Sequence, residues 1–276
     1  MKSKLIIYPT DFSDCAKNAM NYAIAMGKVL TCKIKIVHAL EIGSLASTEE
    51  NPMMLFDIIT QLEEQAEKKL KKLKEEIETF GLEAEYDIVQ GRTLFLKEYM
   101  EKLDPIMIVM GTIGKNGLEN RIFGSFASQT IHNPTSIVLA IPQKAKFNNL
   151  AEIVFATDFH TKDKTCIEFI KKIRKYYRSN LRVIHISEKF EDLEQEREKI
   201  SQLETEVTKV NSSQNIHFEL IYGENVKNKL IALLESSKPD MLALITRKRN
   251  FIERFFSKSI SKKMVNYSNV PILVFS

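Results

Sequence analysis

Two hydrophobic rhythms alternate along this chain. Short apolar runs, "LIIYPT", "KIKIVHA", "IMIVMG" and "SIVLAI", have the length and β-branched content of strands. Between them lie stretches whose apolar residues recur three and four apart. The longest runs through Leu55, Ile58, Ile59, Leu62, Ala66, Leu70, Leu73, Ile77 and Phe80, one face of an amphipathic helix. Helices are also predicted from about Ser13 to Leu30, from about Thr93 to Leu103 ahead of Pro105, and in a short piece after Gly124. "EAEYDIVQG" reads as a strand closed by Gly91. "IMIVMG" is apolar on both faces, as a central parallel strand covered by helices requires.

The pattern is then written a second time. "KLIIYPTDFSDCAKNAM" resembles "EIVFATDFHTKDKTCI", and "KIKIVHAL" resembles "LRVIHIS". Asp11 and Asp158 lie 147 residues apart, and so do His38 and His185. Later landmarks are closer: Gly91 and Gly223 differ by 132, Ser125 and Ser259 by 134. The first copy therefore holds extra residues between its second strand and second helix, and "EIGSLASTEENPMM" reads as that loop. The second copy continues as "EIVFAT", helix, "LRVIHI", helix, "IHFELIYG", helix, "MLALIT", helix, "PILVFS". Alternating β and α units predict an α/β protein of two tandem, doubly wound, five-stranded parallel-sheet domains with right-handed crossovers. Their expected extents are 1–145 and 146–276, divided in "PQKAKFNN".

Composition narrows the function classes. The chain has 276 residues, 44% of them hydrophobic and 28% charged, so it can bury a core. A net charge of +4 is too even to argue for nucleic acid. Cys15, Cys32 and Cys166 have no paired or zinc-ligand spacing and read as buried thiols in a reducing compartment. The apolar run at the start is short for a signal peptide, and no window approaches the ~18 apolar residues of a membrane span. The expectation is a cytoplasmic protein with no membrane contact.

Glycine carries the candidate chemistry. Only 9 of 276 residues are glycine, and four of them fall in "GTIGKNGLENRIFGS", residues 111–125. In an open α/β sheet, ligands bind beyond the carboxyl ends of the strands, and "IMIVMG" delivers Gly111 to that edge. Gly111, Gly114 and Gly124, followed by Ser125, spell G-x2-G-x9-G-S. Glycine lets backbone N–H groups approach an anion, and a helix N-terminus attracts phosphate. Two ordinary readings stand beside this one: loop glycines around a tight turn, and Ser125 as a simple N-cap. The pattern is neither a Walker A sequence nor a dinucleotide G-x-G-x-x-G.

The segments "IIYPTDFSD", "IKIVHAL", "IMIVMGTIG" and the "GS" that completes the glycine pattern make the chain similar to tandem members of the universal stress protein (UspA-like) family. The resemblance covers both copies. It implies a Rossmann-like, adenine nucleotide alpha hydrolase-like fold with strand order 3-2-1-4-5 in each domain. It also implies an adenine nucleotide, ATP with or without Mg, lying along the strand ends. Gly111, Gly114, Gly124 and Ser125 would then hold phosphates. Asp11 would sit by the adenosine, Pro9 would shape that wall, and the backbone at Ala39 would face the adenine edge. For Asp11 the residues alone also allow a helix N-cap. His38 and His185 read as strand-end residues set by the fold rather than as catalysts. The resemblance further implies pairing through the last strands, so "SIVLAI" and "PILVFS" would make one chain a pseudo-dimer, with a homo-oligomer beyond that left open.

The second copy departs from the pattern. Ile245, Lys248 and Lys258 stand at the glycine positions before Ser259. This domain is expected not to bind ATP in the family's manner. Its basic stretch "TRKRNFIERFFSKSISKK" reads as a solvated loop or an anion or partner surface.

Three functions follow from these readings. The first is a cytoplasmic stress-response protein that holds ATP in its N-terminal domain and regulates an unknown protein partner. The second is a slow ATPase, for which Lys115 and Arg121 supply charge, Glu119 is the nearest carboxylate, and no catalytic residue stands out. The third is a scaffold that binds no nucleotide.

Overall fold

The structure, a computed structural model, describes residues 3–42, 51–91, 93–113, 124–132, 134–208, 215–246 and 269–276. The first copy runs β1 (Ser3–Pro9), α1 (Asp14–Leu30), β2 (Lys33–Leu40), α2 (Pro52–Glu78), β3 (Ala84–Gln90), α3 (Thr93–Lys102), β4 (Pro105–Gly111), α4 (Ser125–His132) and β5 (Ile137–Ile141). The second runs β6 (Glu152–Ala156), α5 (Asp163–Tyr177), β7 (Asn180–Ser187), a 3₁₀ turn (Phe190–Asp192), α6 (Leu193–Thr208), β8 (Ile216–Tyr222), α7 (Val226–Ser237), β9 (Met241–Ile245) and β10 (Ile272–Phe275). The helix expected between β9 and β10 lies outside the described residues.

Helix boundaries follow local chemistry. Ser13 caps α1, its hydroxyl accepting from Ala16 N at 3.2 Å. Thr31 ends the helix in the left-handed region. Asn51 caps α2 by accepting from Met53 N, and Pro52 takes the first helical turn, where its missing N–H costs nothing. The loop read from "EIGSLASTEENPMM" therefore ends before Pro52, three residues earlier than expected. Phe80 falls past the end of α2, exposed, with Lys28 Nζ 4.9 Å from its ring. Along α2 the predicted stripe is turned inward at Ala66, Leu70 and Ile77. Burying a side chain such as Leu70 stabilises by about 1.5–3 kcal/mol.

Each copy has the strand order that the resemblance implied. The two sheets are joined, however, into one ten-stranded sheet, β3-β2-β1-β4-β5-β10-β9-β6-β7-β8. Within a copy neighbouring strands are parallel; the seam is antiparallel, with Leu273 opposite Leu139. The carboxyl ends of β1–β5 therefore point to one end of the sheet and those of β6–β10 to the other. One core packs α1, α2, α5 and α6 on one face, and a second packs α3, α4 and α7 on the other.

The connector is part of the core. Asn18 Nδ2 donates to the carbonyls of Pro142 (3.1 Å) and Ala145 (2.6 Å). Phe147 sits between Tyr22 and Tyr177, at 4.9 and 6.1 Å between ring centroids. Among the described residues no helix is long and apolar enough to cross a membrane.

Candidate functional site

The site begins where β1 and β2 end. Thr10 N donates to Val37 O at 2.9 Å, which extends the β1–β2 ladder by one residue. The Thr10 hydroxyl accepts from Phe12 N at 3.1 Å and so bends the chain. Phe12 completes the bend at φ 63°, an uncommon conformation for a bulky residue. Asp11 Oδ1 accepts from Ser13 N at 3.0 Å. This is an Asx turn that leads into the helix, and the N-cap is Ser13 rather than Asp11. His38 lies 2.8 Å from Thr10 O through Nδ1; a carbonyl only accepts, so Nδ1 carries the proton. The His38 and Phe12 rings are 4.4 Å apart, and Lys69 Nζ from α2 lies 5.2 Å from the Phe12 ring. Pro9 is buried and pairs with Val37, while Ala39 is half-buried and pairs with Val89. Strands β2, β1 and β4 are adjacent and parallel, so Pro9, Asp11, Ala39 and Gly111 gather along one edge.

Gly111 is required by packing. A Cβ there would stand 2.9 Å from Cys15 Sγ and 3.0 Å from the Cys15 carbonyl carbon, so only glycine lets α1 approach β4 this closely. Burial pushes the Cys15 thiol above its ordinary pKa; the thiol donates to Ile141 O at 3.4 Å. Thr112 N also donates to Ile141 O, at 3.0 Å. Gly124 N donates to Thr112 O at 2.7 Å, so the end of β4 and the start of α4 meet. Ser128 N donates to Gly124 O, so Gly124 stands at the N-cap and Ser125 is the first residue of α4. The reading of Ser125 as N-cap is thereby displaced by one residue. The amides of Ser125, Phe126 and Ala127 occupy a first helical turn, where N–H groups lack intrahelical acceptors. Gly114, Lys115, Glu119 and Arg121 lie outside the described residues.

The second copy repeats the bend. Thr157 N donates to Ile184 O at 2.9 Å, the Thr157 hydroxyl accepts from Phe159 N at 2.9 Å, and Phe159 has φ 52°. His185 Nδ1 donates to Thr157 O at 2.9 Å, its ring is 4.1 Å from Phe159, and Lys199 Nζ lies 5.7 Å from that ring. Over this shared corner the details change. Lys162 stands at the position of Cys15 and donates from Nζ to Ser276 O. Helix α5 starts two residues later in register than α1, and Lys162 makes no side-chain cap bond. Asp163 Oδ2 accepts instead from His160 N and from the Thr157 hydroxyl. Ile245 ends β9, half-buried and paired with Phe275. Lys248, Lys258 and Ser259 lie outside the described residues.

The family model described as "Universal stress protein family" matches residues 2–142 and again 150–276. The chain belongs to the universal stress protein family. Universal stress protein MJ0531 of Methanocaldococcus jannaschii is 29% identical over 145 residues, covering 52% of this chain and 84% of its own length. Universal stress protein MJ0577 of the same organism is 24% identical over 157 residues, covering 51% of this chain and 96% of its own. A universal stress protein of Archaeoglobus fulgidus, known as a crystal structure, superimposes over 99% of this chain and 98% of its own with a TM-score of 0.74. At 19% identity that likeness speaks for the fold, including its tandem form.

In this universal stress protein, sequence reading singled out Asp11 and the glycines but passed over Thr10, Phe12, Cys15, Lys69 and Thr112. The signal for two of them was present. "TDF" occurs in both copies at the same offset, and it is the Thr and Phe of that tripeptide that shape the bend. Cys15 could not be found this way, because its importance lies in contact with Gly111, nearly a hundred residues away.

Proposed function

We propose that this chain is a cytoplasmic stress-response protein that binds ATP in residues 1–145 and acts as a nucleotide-dependent binding module toward a protein partner, with residues 146–276 as a companion domain. The observation that carries this reading is the hydrogen bond that joins Thr112 to Gly124. Gly124 N–H on Thr112 O brings the end of β4 and the start of α4 together, so both ends of G-x2-G-x9-G-S face one strand edge. The donor chemistry fits a polyphosphate: first-turn amides of α4, the exposed Ser125 hydroxyl and a helix dipole directed at the loop. In this reading Gly111, Gly114, Gly124 and Ser125 serve the phosphates. Pro9, Asp11 and Ala39 line the nucleoside wall beside the Thr10–His38 corner. Mg would travel with the phosphates.

Two experiments test the proposal. Mass spectrometry of freshly purified protein is expected to show bound adenine nucleotide. Gly124→Asp keeps a good N-cap residue but places a negative charge at the loop base, so it is expected to keep the fold and weaken ATP by about tenfold or more. Unchanged ATP affinity in Gly124→Asp sinks the glycine-loop assignment. Turnover of ATP well above that of Asp11→Ala would favour an enzyme over a binding module.

A further inference from the structure

A cleft of about 520 Å³ lies beside the repeated bend in the second copy, between the ends of β6 and β7 and the flank of α6. Asp158, Phe159, His185, Glu196, Lys199 and Glu206 line it. Phe159 and His185 of the corner already described form part of its lining. Its wall differs from that of the first copy by one exchange that the helical register makes plain. Lys69 and Lys199 each lie over the corner phenylalanine, Leu70 matches Ile200, and Ile77 matches Val207, each pair buried. On that register Glu196 takes the place of Ala66, a buried residue of α2. A small apolar contact has become a carboxylate inside a cleft.

Glu196 Oε1 lies 3.2 Å from His185 Nε2, while Oε2 is buried and has no hydrogen-bond partner among the described residues. A buried acceptor left unmet costs about 1–3 kcal/mol, more for a charged group. Among the described residues that line the cleft, Asp158, Glu206 and the buried Asp163 share it with the ammonium of Lys199 and the imidazoles of His160 and His185. Such a wall repels a polyphosphate and attracts ammonium groups. The Phe159 ring already receives the Lys199 ammonium, so its face is suited to holding a cation. At the strand edge Ile245 stands where the first copy has Gly111.

We propose that the C-terminal domain binds a small organic polyamine in this cleft, with one ammonium donating to Glu196 and another lying over Phe159 near Glu206. The two copies would then carry one bend with opposite ligand charge, a polyanion at one end of the sheet and a polycation at the other. This inference is independent of ATP binding in the first domain.

Spermidine is the probe, titrated calorimetrically into the full chain. One saturable site is expected, weakened about tenfold by Glu196→Gln combined with Glu206→Gln. The same affinity should persist when two exposed carboxylates of α2 are removed instead, in Glu64→Gln combined with Glu75→Gln. Lys199 is exposed, so Lys199→Met should fold normally; it removes the internal cation from the Phe159 ring and is expected to tighten spermidine. No saturable binding overturns the proposal. So does equal affinity in the two acidic double variants, weaker binding in Lys199→Met, or adenosine outcompeting spermidine for the cleft. A parallel ATP titration keeps a failure here distinct from a failure of the first domain.

Discussion

Thr10, Phe12 and His38 make the same contacts in the first copy that Thr157, Phe159 and His185 make in the second, yet what stands over those corners differs. In the first copy Ser13 caps α1, which packs Cys15 onto Gly111. In the second, α5 begins later without a side-chain cap, Lys162 reaches out to Ser276, and Ile245 can keep its side chain. The bend is held by ring packing and by the hydrogen bonds of its own threonine and histidine, so it survives when the residues above it change. The glycine is held by one close approach, so it is free to go once that approach is relaxed.

The largest expected effect probes what the copies share. Leu70 and Ile200 occupy matching core positions, with 0% and 6% of their surface exposed. Alanine at either is expected to cost about 2–5 kcal/mol in urea unfolding, with Leu70→Ala the costlier. A negligible loss at Ile200 would break the register that places Glu196 opposite Ala66. Next come the strand ends. Gly111→Val drives a Cβ into the Cys15 backbone and is expected to destabilise by about 1–3 kcal/mol and, on the proposed function, to abolish ATP binding. Ile245→Val at the matching position only trims a methyl group and should cost no more than about 0.5–1.5 kcal/mol.

The helix starts sharpen the comparison at a smaller scale. Ser13→Ala removes a working cap and is expected to cost about 1 kcal/mol by thermal unfolding. Lys162→Ala removes no side-chain cap and should stay within about 0.5 kcal/mol. The cross-strand ion pairs contribute on a similarly small scale. Lys35 meets Asp87 at 2.7 Å, while Arg182 at the matching place grips Glu219 with two hydrogen bonds of 2.7 and 2.8 Å. The Arg182 hydrogen bond holds the Glu219 carboxyl below its usual range. A depressed carboxyl contributes stability above its unfolded pKa and loses it as pH falls through the folded value. Glu219→Gln should therefore cost under about 1 kcal/mol at neutral pH, screened by solvent, and nothing once the carboxyl is protonated in acid. A cost that grows on acidification would contradict this assignment.

Much of this was legible in the sequence. Strand runs, the α2 stripe and the 147-residue repeat depend on local periodicity, and the structure places the elements where those signals fell. The start of α2 lies three residues before the end of the expected loop, because Pro52 reads as loop in the sequence yet suits a first helical turn. The connector "PQKAKFNN" reads in the sequence as a division between the copies, with no sign that it is a packed element. Its order depends on Asn18 and Tyr22, more than a hundred residues earlier. The exchange of Ala66 for Glu196 was hidden for another reason. The copies differ in loop length before the second helix, so only the lysines over Phe12 and Phe159 reveal which positions correspond.

The central claim is that one bend, written twice, serves a nucleotide in one copy alone. The most direct measurement is the stoichiometry of ATP on the full chain, read calorimetrically with wild type and Gly111→Val side by side. One ATP per wild-type chain and none on the variant is the predicted result. Two per chain, none on wild type, or an undiminished site in Gly111→Val would contradict it.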